Sequence, residues 1–186
     1  PQLEGVVGRE PELHERLRIP VSVDTCKSEV ASEAVLAGAA MVNDVWGGRR
    51  DPGILDVISR HKVACCLMHN KEKAEYDDLL DEVTGTLADI ARTAEEAGIE
   101  RGRILLDPGI GFGKTVEHNL IIMRNLHRIH GLGYPWLLGA SRKSMIGKTL
   151  ELPVDERVEG TIATTVLAIR EGCSFVRVHD VRENVR

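Results

Sequence analysis

Short β-branched or apolar runs alternate along this chain with longer amphipathic stretches, and this alternation restricts the fold more than any other feature. It is the pattern of repeated βα units: strands buried on both faces read as nearly continuous apolar runs, and each needs a crossover helix to reach its parallel neighbour. Six strands are expected, at Val21–Val23, Met41–Val42, Val63–Met68, Ile104–Leu106, Trp136–Leu138 and Phe175–Val178. Helices are expected over Glu29–Ala37, Ile54–Arg60, Tyr76–Ala97, Val116–Ile129 and Glu156–Arg170. Gly38, Gly98, Gly131 and Gly172 stand just past four of these, and Pro52 opens the second, where a proline removes an amide that would be unpaired anyway.

Polar groups end or follow every expected strand: Asp24, Asn43-Asp44, His69-Asn70, Asp107, Ser141-Arg142-Lys143, and Arg177 with His179. One such residue means little more than a helix cap, but six in register with six strand ends indicate a shared site at the C-terminal face of an α/β barrel. The 186 residues, 42% of them hydrophobic, suffice for one core, so a single domain over 1–186 is expected. A net charge of −5 argues against a nucleic-acid surface, and an anionic ligand would need a local basic pocket. Cys26, Cys65, Cys66 and Cys173 lack paired metal-ligand spacing and read as reduced thiols. With no apolar run of the ~20 residues that span a bilayer and no signal-type start, a cytoplasmic enzyme without membrane contact is expected. The start at Pro1 reads as a cut.

The run from Asp107 to Thr115 invites a phosphate-loop reading, but Gly109 and Gly113 enclose three residues where that loop needs four. A flexible βα loop carrying Phe112 over a ligand fits better. Ser141-Arg142-Lys143-Ser144 places two cations and two hydroxyls after a strand, whereas a solvated face would place them on outer helices. Arg177 and His179 have the period-two spacing that turns both toward one side, a planar fork beside a second donor. Asp24 and Asp107 accept hydrogen bonds and Asn43 both donates and accepts, so together they can read the edge of a heteroaromatic ring. Structural readings stand beside the functional ones for Asp44, His69 and Asn70, and His127 and His130 read as surface residues. Asp24 and Asp107 also suit a paired-carboxylate glycosidase, but that would leave the basic loop unexplained, and aromatics are only 3% of the chain.

The runs Val21-Ser-Val-Asp-Thr25, Val42-Asn-Asp44, Leu67-Met-His69, Leu105 to Lys114, Ser141 to Gly147 and Val176 to Asp180 resemble, in order and spacing, the dihydropteroate synthases of the pterin-binding family. The resemblance implies a (β/α)8 TIM barrel, and a transferase that condenses 6-hydroxymethyl-7,8-dihydropterin pyrophosphate with p-aminobenzoate in folate biosynthesis. It implies pterin contacts from Asp24, Asn43, Met68, Asp107, Phe112, Lys143 and Arg177, and a p-aminobenzoate pocket, the sulfonamide target of the family, from Phe112, Lys143 and Ser144. Arg177 and His179 would meet the pyrophosphate, and Asp107, Lys143, Arg177 and His179 would be catalytic. It further implies Mg²⁺, with no metal ligand among these residues, and a homodimer. A pterin-dependent methyltransferase shares the ring-binding Asp and Asn but not Ser-Arg-Lys-Ser; a non-catalytic pterin-binding fragment is the other alternative.

A full barrel of this class takes about 250 residues and eight strands. The Asn-x-Thr-x-Asp-Ser-Phe and Ser-Thr-Arg-Pro-Gly runs of the family's first two units do not occur here, so about six of the eight βα units are expected, with the last helix incomplete. Six strands would leave two edges unpaired. The 186-residue chain alone is therefore expected to be unstable or to aggregate; a sharp cooperative melt from a chain that stays monomeric, seen by calorimetry with light scattering, contradicts this.

Overall fold

A computed structural model describes residues 19–186; the start at Pro1, read above as a cut, lies outside the described residues. Two compact units form, one from the residues up to Met68 with Asp89–Leu105, the other from His69–Ala88 with Leu106–Arg186.

The first unit contains β1 (Ser22–Asp24), α1 (Ser28–Leu36), β2 (Met41–Asp44), α2 (Gly53–His61) and β3 (Ala64–Met68), then the later part of α3 (Leu79–Glu96) and the start of β4 (Ile104–Asp107). β1 pairs in parallel with β2, Val23 opposite Val42, and β2 in parallel with β3, Val42 opposite Cys65. β4 is the fourth strand of this sheet. Successive residues Cys65, Cys66, Leu67 and Met68 are all buried, which requires cover on both faces and explains the unbroken apolar run. Burial pushes the Cys65 thiol up to about 12, so it is an inert packing group. Asp51 joins two helix starts: its carboxylate accepts the Ser28 N–H at 2.7 Å and the Gly53 N–H at 3.2 Å, and these bonds hold its pKa low. Pro52 lies one residue before the helix it was expected to open, and Gly53 is the first helical position.

The second unit contains the first part of α3, the end of β4, α4 (Val116–Arg124), α5 (Leu126–His130), β5 (Leu137–Leu138), α6 (Ser144–Leu150), α7 (Val158–Arg170), β6 (Phe175–Val176) and α8 (Val181–Val185). Leu106 bridges in parallel to Trp136, and β5 pairs in parallel with β6, Leu137 opposite Phe175. The single helix expected over Val116–Ile129 is broken at Asn125, whose side-chain amide donates to the Ile121 carbonyl at 2.8 Å in place of a continuing backbone ladder. A 3₁₀ turn at Val154–Glu156 replaces the start expected for α7. β6 is shorter than expected, so Arg177 and His179 lie beyond it.

Helices α6 and α7 approach closely: a Cβ on Gly160 of α7 would overlap Ile146 of α6. Gly85, in the exposed middle of α3, has nothing within 4 Å of such a Cβ. Gly85→Ala is therefore expected to stabilise the chain by about 0.5–1 kcal/mol through backbone entropy, and Gly160→Ala to destabilise it by about 1–3 kcal/mol through overpacking. Denaturant midpoints of the two variants should move in opposite directions, and a common direction contradicts this packing.

Candidate functional site

In the first unit two strand-end polar residues meet directly. Asn43, 3% exposed at the end of β2, donates its side-chain amide to Asp24 of β1 at 2.9 Å. Their register makes this possible, since Asp24 stands opposite Asn43 in the parallel pair. The bond fixes the amide orientation beside an exposed carboxylate. Asp44 points elsewhere: its carboxylate accepts the Trp46 N–H at 2.8 Å and the Gly48 N–H at 2.6 Å, folding the turn after β2. Burial raises its pKa despite those amides, so the structural reading holds for Asp44. Met68 is buried at the end of β3.

The second unit gathers a richer set around Asp107, the last residue of β4 and only 1% exposed. Its carboxylate accepts the Gly109 N–H at 2.7 Å and lies 3.6 Å from the Arg177 guanidinium. Burial raises its pKa, while the Gly109 amide and the charges of Lys143, Arg177 and Lys114 favour the ionised form. Arg177 reaches Asp107 across Gly139, where a Cβ would stand 3.1 Å from its Nη2; a glycine there leaves room for the planar group. Lys143 precedes α6, donates its ammonium to the Ile110 carbonyl and lies 4.6 Å from the centroid of the Phe112 ring. Burial is the chief cause that lowers its pKa to about 8, with Asp107 opposing and Arg177 adding to the effect. Asp107, Phe112, Lys143 and Arg177 thus form one connected set of a carboxylate, a ring and two cations.

The remaining expected residues sit differently. His179 packs on Ser141: its backbone N–H donates to the Ser141 hydroxyl oxygen at 3.1 Å and its ring Nδ1 lies 2.9 Å from the same oxygen, while Arg177 turns to Asp107. Ser144 is exposed as the first residue of α6. Arg142, in the left-handed region at φ 55, is tied to Asp180 by two guanidinium contacts, one of 2.9 Å. His69 is buried and bonded to Lys114 at 2.8 Å, which fits the reading of a satisfied strand-end histidine. His127 and His130 are exposed, as expected.

The loop after Asp107, expected to be flexible, is heavily bonded instead. Asn119 of α4, 1% exposed, accepts the Gly111 N–H at 2.8 Å and donates to the Thr115 carbonyl at 2.6 Å; the Tyr76 hydroxyl donates to the Gly113 carbonyl at 2.7 Å. Asn119, Tyr76 and Lys114 were not singled out as site residues in the sequence. An asparagine one turn into a helix that follows a glycine-rich turn is the available signal. Among the described residues no group of three or more His, Cys, Asp or Glu could hold a metal, so no step below runs through the implied Mg²⁺.

A family model described as "Pterin binding enzyme" matches residues 3–179. The chain is 53% identical over 175 residues to a dihydropteroate synthase of Clostridium beijerinckii, covering 94% of this chain and 65% of that protein. It thus spans about two thirds of the length of that relative. A solved dihydropteroate synthase of Clostridium difficile, crystallised in the presence of pteroic acid, is 46% identical with a TM-score of 0.96, over 98% of this chain and 70% of that one. One from Xanthomonas albilineans with 4-aminobenzoic acid is 42% identical with a TM-score of 0.94, over 98% and 67%. The fold class is that of the (β/α)8 barrel, six of whose strands occur among the described residues.

The Lys143 environment has a signed consequence for stability. In the unfolded chain the amine titrates near its ordinary 10.5 and in the folded chain near 8, so between these values the unfolded state binds more protons and stability rises with pH. The cost of burying the charge is fully present below pH 8 and is gone above about 10.5. Lys143→Met is expected to remove this part of the rise in denaturant midpoint; an unchanged slope contradicts the buried-amine geometry.

Proposed function

We propose that this chain, which belongs to the pterin binding enzyme family, carries the pterin and pyrophosphate sites of a dihydropteroate synthase. The observation that carries this reading is the buried Asp107 carboxylate beside Arg177 and Lys143. The amino-pyrimidine edge of a pterin is rich in N–H donors, and an ionised buried carboxylate is the acceptor that such an edge needs. The Lys143 ammonium supplies a donor for ring acceptors, and Phe112 and the Arg177 plane supply faces for stacking. In the first unit, Asp24, Asn43 and Met68 are the residues to which the resemblance assigns pterin contacts.

The reaction on this reading replaces pyrophosphate by an aromatic amine at the exocyclic methylene of the pterin. The C–O bond to pyrophosphate breaks first and the pyrophosphate takes its electron pair, the amine nitrogen then forms the C–N bond, and the nitrogen loses its proton to solvent water. Asp107 stabilises the electron-poor ring that remains after departure, and Arg177 and His179 hold the leaving anion, an effect of preorganised charge. Lys143, Ser144 and Phe112 border the place for p-aminobenzoate, which is also where sulfonamides would compete. Mg²⁺, when bound, would neutralise pyrophosphate charge. A cytoplasmic location belongs to the same proposal, and no helix among the described residues is long and apolar enough to cross a membrane. A homodimer is supported by the exposed apolar side chains Val166, Leu167 and Ile169 of α7.

Asp107→Asn and Lys143→Ala are the direct tests, with pterin-pyrophosphate binding measured by calorimetry and turnover by release of pyrophosphate. Each variant is expected to lose at least about tenfold in affinity, the cost of removing one partner from a charged hydrogen bond. Full binding and turnover in both variants contradicts the assignment; binding by the parent chain without turnover restricts it to a pterin binder.

A further inference from the structure

We propose that Lys114, braced on the imidazole of His69, is a positioning residue that sets the place and the charge of Asp107; its effect on pterin recognition rests on the reading above. After Asp107 the chain reverses through Pro108–Thr115 with no regular secondary structure, so side chains must hold the turn. Lys114 Nζ has three acceptors around it: the Gly109 carbonyl at 3.0 Å, the Phe112 carbonyl at 3.0 Å and His69 Nδ1 at 2.8 Å. An ammonium carries three protons, so the three contacts form a tripod inside the turn.

His69 ties this tripod to the strand. Its backbone N–H donates to the Asp107 carbonyl at 3.0 Å while its ring, in a residue 2% exposed, meets Lys114. Because an ammonium only donates, Nδ1 must accept, and the ring is the neutral tautomer with its proton on Nε2. The turn can close this tightly only with glycine: a Cβ on Gly109, at φ 72, would overlap the His69 carbonyl, and one on Gly113, at φ 55, the Lys71 carbonyl. Tyr76 holds the far end through Gly113, and burial raises its hydroxyl to about 12, so it stays a donor.

The same ammonium is close enough to act on Asp107 by charge. The charged or titratable groups acting on Asp107 within this unit are Lys143 ahead of α6, Arg177 beyond β6, Lys114 in the loop and Cys173 ahead of β6. The three cations favour the carboxylate and burial opposes it. Replacing Lys114 by a neutral residue therefore moves the Asp107 titration upward, and a pterin needing the ionised form binds less well as pH falls. A brace that was only structural would leave that titration in place once the variant folded.

The experiment follows the Asp107 carboxyl by ¹³C NMR in the unliganded chain, as parent, Lys114→Met and Lys114→Arg, and measures 6-hydroxymethylpterin affinity across the same pH range. The expected result is an upward-shifted Asp107 midpoint and roughly tenfold weaker pterin binding in Lys114→Met, with Lys114→Arg recovering most of both. ¹⁵N shifts of His69 in the parent should show the Nε2–H tautomer, a readout that stands even if Lys114→Met does not fold. An Asp107 titration unmoved in Lys114→Met, or a His69 proton found on Nδ1, overturns the inference. A moved titration in a chain that does not bind the pterin supports the brace and overturns the functional reading instead.

Discussion

A carboxylate 1% exposed at the end of a parallel strand is expensive to ionise, and the second unit is arranged around that cost at Asp107. The Gly109 amide, the Arg177 guanidinium, and the charges of Lys143 and Lys114 each offset part of it. Their placement in turn explains local choices that otherwise look unrelated: a glycine at 139 beneath Arg177, a glycine at 111 with Lys143 close above it, and two left-handed glycines that let the loop close on the backbone of His69 and Lys71. Remove the carboxylate, and three cations within one unit lose the group that justifies their proximity.

Opposed tendencies give the set its chemical value. Lys143 titrates near 8 because burial outweighs the attraction of Asp107, while Asp107 is raised because burial outweighs its cations. Both groups therefore carry charge at a cost that a polar ligand can relieve, the usual condition of a binding site rather than of a surface ion pair. The pair formed by Asp24 and Asn43 is of another kind: a neutral donor fixes an exposed carboxylate. Ring recognition by such groups needs rigid backbone more than flexible reach, and the density of bonds in the Asp107 loop supplies it.

How much of this could be read from residues alone follows from the physics of each element. Strand centres were legible because burial on both faces leaves an unbroken apolar run, as at Cys65 to Met68. The strand-end residues Asp24, Asn43, Asp107 and Arg177 were legible because polar groups stop such runs abruptly. The break at Asn125 was not, since a side chain competing for the Ile121 carbonyl leaves the apolar period of α4 and α5 intact. The Asp107 loop was misjudged as flexible because glycine content speaks of permitted angles and says nothing of the acceptors that Lys114, Asn119 and Tyr76 find after folding. His179 was paired with Arg177 by strand period, but β6 ends at Val176, and beyond a strand that period no longer governs direction.

The central claim is that the buried carboxylate of Asp107 reads a pterin. A crystal structure of the chain with bound 6-hydroxymethylpterin tests it most directly. The amino-pyrimidine edge is expected within hydrogen-bond distance of the Asp107 carboxylate, with the Lys143 ammonium on the ring and the Arg177 guanidinium against its face. A pterin bound elsewhere, or bound here with Asp107 still turned to Gly109 and Arg177 alone, contradicts it.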